Sequence, residues 1–179
     1  MLQKSSTLKT ADVFFLSPTK EHYLMDISRN IGLAHTSVKK NLDKLVKLGL
    51  LTEIIERKGT RKFPLYKANA DNKLFKRHKI IYNISSVLES NLIEFIEEKL
   101  APRAIVLFGS YVRGEDIESS DIDLFVECKN EELNPEKFEK KLSRKIELHF
   151  NENFTSYPKE LKNSIINGVV LSGFLEGYK

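Results

Sequence analysis

The run from Ala104 to Glu127, AIVLFGSYVRGEDIESSDIDLFVE, admits few folds. Ala104 to Phe108 is an uninterrupted apolar run, too short for a stable helix and closed by glycine, which predicts a fully buried strand. Gly109-Ser110 then makes a tight turn with Ser110 at the N-cap of a short helix, a place where backbone N–H groups lack partners and suit an anion. Arg113 falls one turn along, within reach of a phosphate, and Gly114 ends the helix. A second apolar run follows with Asp121 and Asp123 on alternate positions. In a strand, residues i and i+2 share a face, so both carboxylates point together while Ile122 and Leu124 enter the core.

Two carboxylates held that close repel unless a cation lies between them. Magnesium, a hard ion that takes oxygen ligands and bridges triphosphate oxygens, matches this donor set. Phosphoryl transfer with two metals calls for a third carboxylate. The downstream run Lys145 to Phe150, KIELHF, reads as another alternating strand. Glu147 lies opposite in facing to Ile146 and Leu148, which makes it the third-carboxylate candidate, with His149 on the same face behind it.

Residues 104–127 and 145–150 resemble the minimal nucleotidyltransferases of the DNA polymerase β superfamily. The shared pattern is an apolar strand, Gly-Ser, about ten residues, Asp-x-Asp between apolar residues, and a later carboxylate on a neighbouring strand. Gly109, Ser110, Asp121 and Asp123 match it, as does Arg113-Gly114. Only Glu147 fits the later carboxylate, which is often Asp in the family. The tail SYPKELKNSIINGVVLSGFL also resembles the end of such domains, a short helix leading into a Gly-Val-Val-Leu segment. The resemblance implies Asp121, Asp123 and Glu147 as metal ligands and catalytic groups. It implies Gly109, Ser110 and Arg113 as nucleotide contacts, Mg2+ as cofactor and ATP as the usual donor. It also implies an acceptor hydroxyl on a protein, such as the HEPN-type toxin that antitoxins of this kind modify, on a nucleic-acid end, or on a small molecule.

The net charge of +4 conceals a division. Residues 1–79 carry 17 basic against 7 acidic side chains, a net +10, whereas residues 80–179 carry 12 against 18, a net −6. One half suits polyanions and the other does not. No stretch reaches the roughly 18–20 apolar residues that span a membrane. The amino terminus lacks the apolar centre of a signal peptide. Cys128 is the single cysteine, which leaves neither a disulfide framework nor a Cys-based zinc site. These features predict a cytoplasmic protein without membrane partners.

In the basic half, apolar spacing predicts helices over Thr7–Leu16 and Tyr23–Asn30 and a third from near Thr36 to the stop at Gly49. Two β-like runs then flank Lys58-Gly59-Thr60-Arg61, a hairpin signal. Tyr23 to Ala68 resembles the winged helix-turn-helix of small bacterial and archaeal transcriptional regulators, on Ile31, Gly32, Leu33, Val38, Leu42, Leu45, Gly49 and Leu50. The resemblance implies DNA binding through the third helix, with His35, Thr36, Ser37, Lys39, Lys40 and Lys44 off its apolar stripe, and through wing residues Lys58, Arg61 and Lys62.

The expected fold class is therefore α+β: a winged helix-turn-helix over 1–70, a connecting helix over 71–100, and a small mixed-sheet nucleotidyltransferase domain over 101–179. Apolar residues at 74, 81, 88, 92 and 95 predict one face of the connecting helix, which either covers the sheet or pairs two copies of the chain. Two functions stay open: an ATP-dependent transferase that also regulates its own operon, or a DNA-binding regulator whose second domain senses nucleotide without chemistry.

Overall fold

A computed structural model describes residues 4–176. The chain divides into two compact units, residues 1–79 and 80–179, at the position where the net charge changes sign.

In the first unit, helix α1 (Ser6–Leu16) is followed by strand β1 (Glu21–Tyr23), helices α2 (Leu24–Ile31) and α3 (His35–Lys47), and strands β2 (Leu51–Lys58) and β3 (Arg61–Ala68). Ser5 caps α1 by accepting from the Leu8 N–H at 3.3 Å. Gly32, at φ +65°, closes α2 in the left-handed region that a side chain would disfavour. Phe14, Ile27, Val38, Leu42 and Leu45 are all buried, as α1 and α2 pack on α3. The hairpin pairs Lys58 with Arg61 around Gly59-Thr60, and the sheet order is β1-β3-β2, antiparallel throughout. The sequence reading placed Tyr23 in a helix and missed β1. Three residues are too few to show a period, and only pairing with Leu65–Lys67 of β3 makes them a strand. Pro64 sits in β3 beyond the reach of β1, where one side of the strand carries no ladder and a residue without N–H is tolerated.

Helix α4 (Lys73–Glu89) carries the unit boundary. The second unit continues with α5 (Leu92–Leu100), β4 (Ala104–Phe108), α6 (Gly109–Arg113), β5 (Ile122–Val126), α7 (Glu136–Leu142), β6 (Ile146–Phe150), a 3-10 turn (Phe154–Ser156), α8 (Lys159–Ile166) and β7 (Val169–Gly173). The expected single connecting helix over 71–100 is thus two helices. Asn91 adopts φ +68°, a left-handed conformation that Asn tolerates and that ends the helical ladder.

The apolar face read from the sequence is not the buried face of α4. Leu74, Ile81 and Leu88 are exposed, while the buried row of α4 runs Phe75, Lys79, Asn83, Val87 at i, i+4 spacing. Two of those four are polar, so hydropathy did not mark the buried row.

The sheet order is β6-β5-β4-β7, with β5–β6 parallel and the other pairs antiparallel. Ile105, Leu107, Ile122, Leu124 and Val126 join Val87, Leu92 and Ile96 in one cluster. Val106, Phe108 and Phe125 join Phe154 and Ile165 in a second. Both faces of β4 are thereby covered, which is why its sequence is continuously apolar.

Candidate functional site

The site grows from strand register. Phe108 of β4 is paired with Asp123 of β5, and Asp123 with Glu147 of β6. Three adjacent strands thus present these residues in one row, directly where β4 runs out into Gly109. His149 lies two residues beyond Glu147 on β6 and so shares its face.

Asp123, Glu147 and His149 each offer a ligand atom, and all three atoms lie within 4.8 Å of one another. His149 Nε2 stands 3.7 Å from Asp123 Oδ1 and 3.7 Å from Glu147 Oε2. The side chains of Asp123 and His149 are 24% and 27% exposed and that of Glu147 58%, so the group opens to solvent on the Glu147 side. The Phe108 ring packs beside the imidazole with centroids 5.2 Å apart.

Gly109 makes room for this group. It holds φ +78°, and a Cβ there would fall 2.2 Å from Asp123 Oδ2. Glycine is required twice, for the backbone conformation and for the close approach of the carboxylate. Helix α6 begins at Gly109 with Phe108 flanking it, so the expected N-cap at Ser110 is corrected: Ser110 is the second helical residue. Its N–H belongs to the first turn, whose donors have no partner inside the helix. Gly114 ends the helix in the left-handed region, as read from the sequence.

Other expected residues stand elsewhere. Asp121 precedes β5 and does not join the three-residue group. It is half-buried and lines a cavity of about 410 Å³ with Ser119, Ser120, Arg144 and Lys145. The strand begins one residue too late to fix Asp121 in the facing that strict alternation predicts. Arg113 is exposed, and its Nε donates to Glu115 at 2.9 Å.

A buried polar network that sequence reasoning missed lies behind the site. Asn83 Nδ2 donates to the Tyr111 carbonyl of α6 and to Asp116 Oδ1, both at 2.7 Å. Arg144, also buried, approaches Asp116 Oδ2 at 3.8 Å. This ties α4, the Gly-Ser helix and the entrance to β6 together. Nearby, Glu139 accepts from the Ile146 N–H at 3.1 Å and pairs with Lys145 at 3.1 Å. The backbone donor first and Lys145 second hold the Glu139 carboxyl below its ordinary pKa. Nothing local in the sequence marks the network, because Asn83 reads as one more polar helical residue until its burial is known.

The donor set fits a divalent cation. Two carboxylates this close repel each other, and the imidazole Nε2 is shielded from solvent without a hydrogen-bond partner. Atoms bound to one ion at about 2.1 Å stand roughly 3 Å apart at a right angle and about 4.2 Å when opposite. The two 3.7 Å separations lie within that range.

In the first unit, His35, Thr36, Ser37, Lys40 and Lys44 of α3 are exposed. His35 Nδ1 is 2.9 Å from Ser28 Oγ. Lys39 is engaged internally: its ammonium meets Asp43 at 2.8 Å and the Tyr66 hydroxyl at 2.9 Å. Asp43 first and Tyr66 second raise its pKa well above the usual lysine range. On the hairpin, Lys58 donates to the Tyr23 hydroxyl at 2.9 Å and lies over the Tyr23 and Phe63 rings. Arg61 and Lys62 are exposed.

Residues 90–173 match the family described as Polymerase beta, Nucleotidyltransferase. This part of the chain, which contains the Gly109 turn and the Asp123–Glu147–His149 group, is a polymerase beta nucleotidyltransferase domain. Among solved structures, a possible transcriptional regulator from Methanosarcina mazei Go1 is 18% identical over 54% of this chain and 79% of its own, with a TM-score of 0.38. No curated protein matches the chain. No helix among the described residues is long and apolar enough to cross a membrane.

Proposed function

We propose that this protein is a magnesium-dependent nucleotidyltransferase that moves a nucleoside monophosphate from ATP to an acceptor hydroxyl, and that its first unit is a winged helix-turn-helix that binds DNA. The observation that carries the transferase reading is the Asp123–Glu147–His149 group set against a glycine that leaves space for nothing but the Asp123 carboxylate.

In this reading Asp123 and Glu147 would hold the ion, joined by Asp121 from the segment just before β5, and the ion when bound would neutralise triphosphate charge and orient the α-phosphate. The first-turn N–H groups of Gly109 and Ser110 bind phosphate oxygens, and Arg113 exchanges Glu115 for phosphate. The Glu147 carboxylate takes the proton from the acceptor hydroxyl as its oxygen attacks the α-phosphorus. The bond from that phosphorus to the bridging oxygen of the β-phosphate breaks, and pyrophosphate leaves. Positioning and charge neutralisation supply most of the acceleration.

The element order α1-β1-α2-α3-β2-β3 with a terminal antiparallel hairpin, together with the +10 charge, supports the DNA-binding reading. Exposed Leu74, Ile81 and Leu88 at seven-residue spacing on α4 suit pairing of two copies on a two-half-site operator. The favoured acceptor is a partner protein, such as a HEPN-type toxin, in the cytoplasm.

The second reading, a regulator whose nucleotidyltransferase domain senses nucleotide without chemistry, draws on Asp121 standing outside the three-residue group. A lysate of the source organism incubated with α-phosphate-labelled ATP and magnesium separates the two. Labelling of a protein or nucleic acid by wild type but not by an Asp121→Ala/Asp123→Ala protein supports transfer. Equal labelling with a folded, DNA-binding wild type favours the sensor.

A further inference from the structure

The nucleotidyltransferase reading names magnesium on the strength of carboxylates alone, yet one of the three converging donors is an imidazole. We propose that His149 is a metal ligand and that the site binds a borderline divalent ion of the Mn2+, Co2+ or Zn2+ kind more tightly than Mg2+. This deepens the metal-dependent reading and rests on it.

Four observations carry the assignment. His149 Nε2 lies at equal distance, 3.7 Å, from one oxygen of Asp123 and one of Glu147, which is where a third donor to a shared ion belongs. That nitrogen is shielded from solvent and makes no hydrogen bond, so it is not spent on the fold. The Phe108 ring packs against the imidazole and limits its rotation, so the donor is held in place. Asp121, the oxygen donor that would make the set all-carboxylate, does not join the group.

The chemistry follows from the donor set. Magnesium takes oxygen ligands in near-octahedral geometry and dehydrates reluctantly, so a nitrogen donor adds little to its binding. Imidazole suits zinc and later first-row ions, while carboxylates also serve manganese. Two carboxylates and one imidazole therefore favour ions that accept both. Magnesium would rely on the carboxylates and gain little from His149.

The test is binding, independent of any acceptor or turnover. Wild type, His149→Gln and Asp123→Asn proteins, each checked for native circular dichroism, are titrated with Mn2+ by electron paramagnetic resonance, with Co2+ by visible absorbance, and with Mg2+ by competition against Mn2+. The proposal expects His149→Gln to weaken Mn2+ and Co2+ on the order of tenfold or more, to change the Co2+ spectrum, and to change Mg2+ affinity less than about threefold. Asp123→Asn should weaken all three ions. If Asp123→Asn weakens all three while His149→Gln leaves Mn2+, Co2+ and the spectrum as in wild type, His149 is not a ligand, and the metal-site reading survives. If neither variant changes binding, the reading and the proposal fall together. Histidine-labelled wild type covers the case of a misfolded variant. On adding Zn2+, the ring nitrogen resonance of His149 should shift more than those of His22, His35 and His78, and an unmoved His149 signal overturns the assignment.

Discussion

Gly109 and Asp123 meet across the β4–β5 pair so closely that the carboxylate occupies the space of a Cβ: the atom added to Gly109 would lie 2.2 Å from Asp123 Oδ2. The turn and the Asp123 carboxylate therefore cannot vary independently. A Gly109→Ala protein faces a φ of +78°, at a cost of about 1 kcal/mol, and must also push Asp123 aside. The expected outcome is a modest loss of stability in thermal unfolding with a much larger loss in divalent-ion affinity, at least about tenfold, because the ligand itself is displaced. Unfolding alone, with metal affinity retained, would mean that Asp123 does not hold the ion.

Asn83 contributes one amide group to two acceptors that sit on different segments, the Tyr111 carbonyl and Asp116. Replacing it with alanine removes a buried donor from both. Both acceptors keep other partners, the Gly114 N–H at 3.4 Å for the Tyr111 carbonyl and Arg144 at 3.8 Å for Asp116, so the loss is one hydrogen bond to each, about 0.5–1.5 kcal/mol for the neutral acceptor and about 1.5–3 for the charged one. Asn83→Ala is expected to lower stability by roughly 2–5 kcal/mol in urea unfolding, well beyond the effect of a surface substitution. Asn83→Asp should cost more still, because it sets a second carboxylate against Asp116.

What the sequence disclosed and what it hid divide along physical lines. The strand–glycine–helix–strand course of 104–126 was legible because each element is local. A buried central strand is continuously apolar, Gly109 and Gly114 mark the ends of a five-residue helix, and the carboxylates alternate with apolar residues. The meeting of Glu147 with Asp123 depended on parallel pairing of β5 with β6, and facing alone nominated it. His149 ranked second because nothing local distinguishes a histidine at a site from one beside it. Asp121 precedes the first residue of β5, so alternation within the strand does not by itself fix its facing. The buried row of α4 was hidden because Lys79 and Asn83 are polar, and the acceptors of the Asn83 Nδ2 group lie some thirty positions away.

Glu139 links the fold to pH. Its carboxyl is held below the ordinary value, first by the Ile146 N–H and then by Lys145. A depressed carboxyl contributes stability that is present above its unfolded pKa, about 4.3, and is lost as pH falls through the lower folded value. Stability measured by urea unfolding should therefore fall on the acid side of pH 4 more steeply in wild type than in Glu139→Gln, and the two slopes should converge near neutrality. Since Ile146 opens β6, the variant should also weaken divalent-ion binding at Glu147 at neutral pH. A variant identical to wild type in both measurements would remove Glu139 as an anchor of the strand.

The lysines of α3 separate into two kinds. Lys39 is bound to Asp43 and to Tyr66 of the hairpin, so its charge is already neutralised within the unit. Lys40 and Lys44 are exposed on the same helix. If α3 lies against DNA, each exposed lysine that contacts a phosphate displaces a condensed counterion, and its loss should reduce the slope of log K against log salt by about 0.9. Lys40→Ala and Lys44→Ala are expected to flatten that slope in duplex-binding titrations while leaving the unfolding midpoint unchanged. Lys39→Ala should do the reverse, lowering stability through the lost tie to Tyr66 with little change in slope. Equal slopes for all three variants and wild type would place the DNA-binding surface somewhere other than this face of α3.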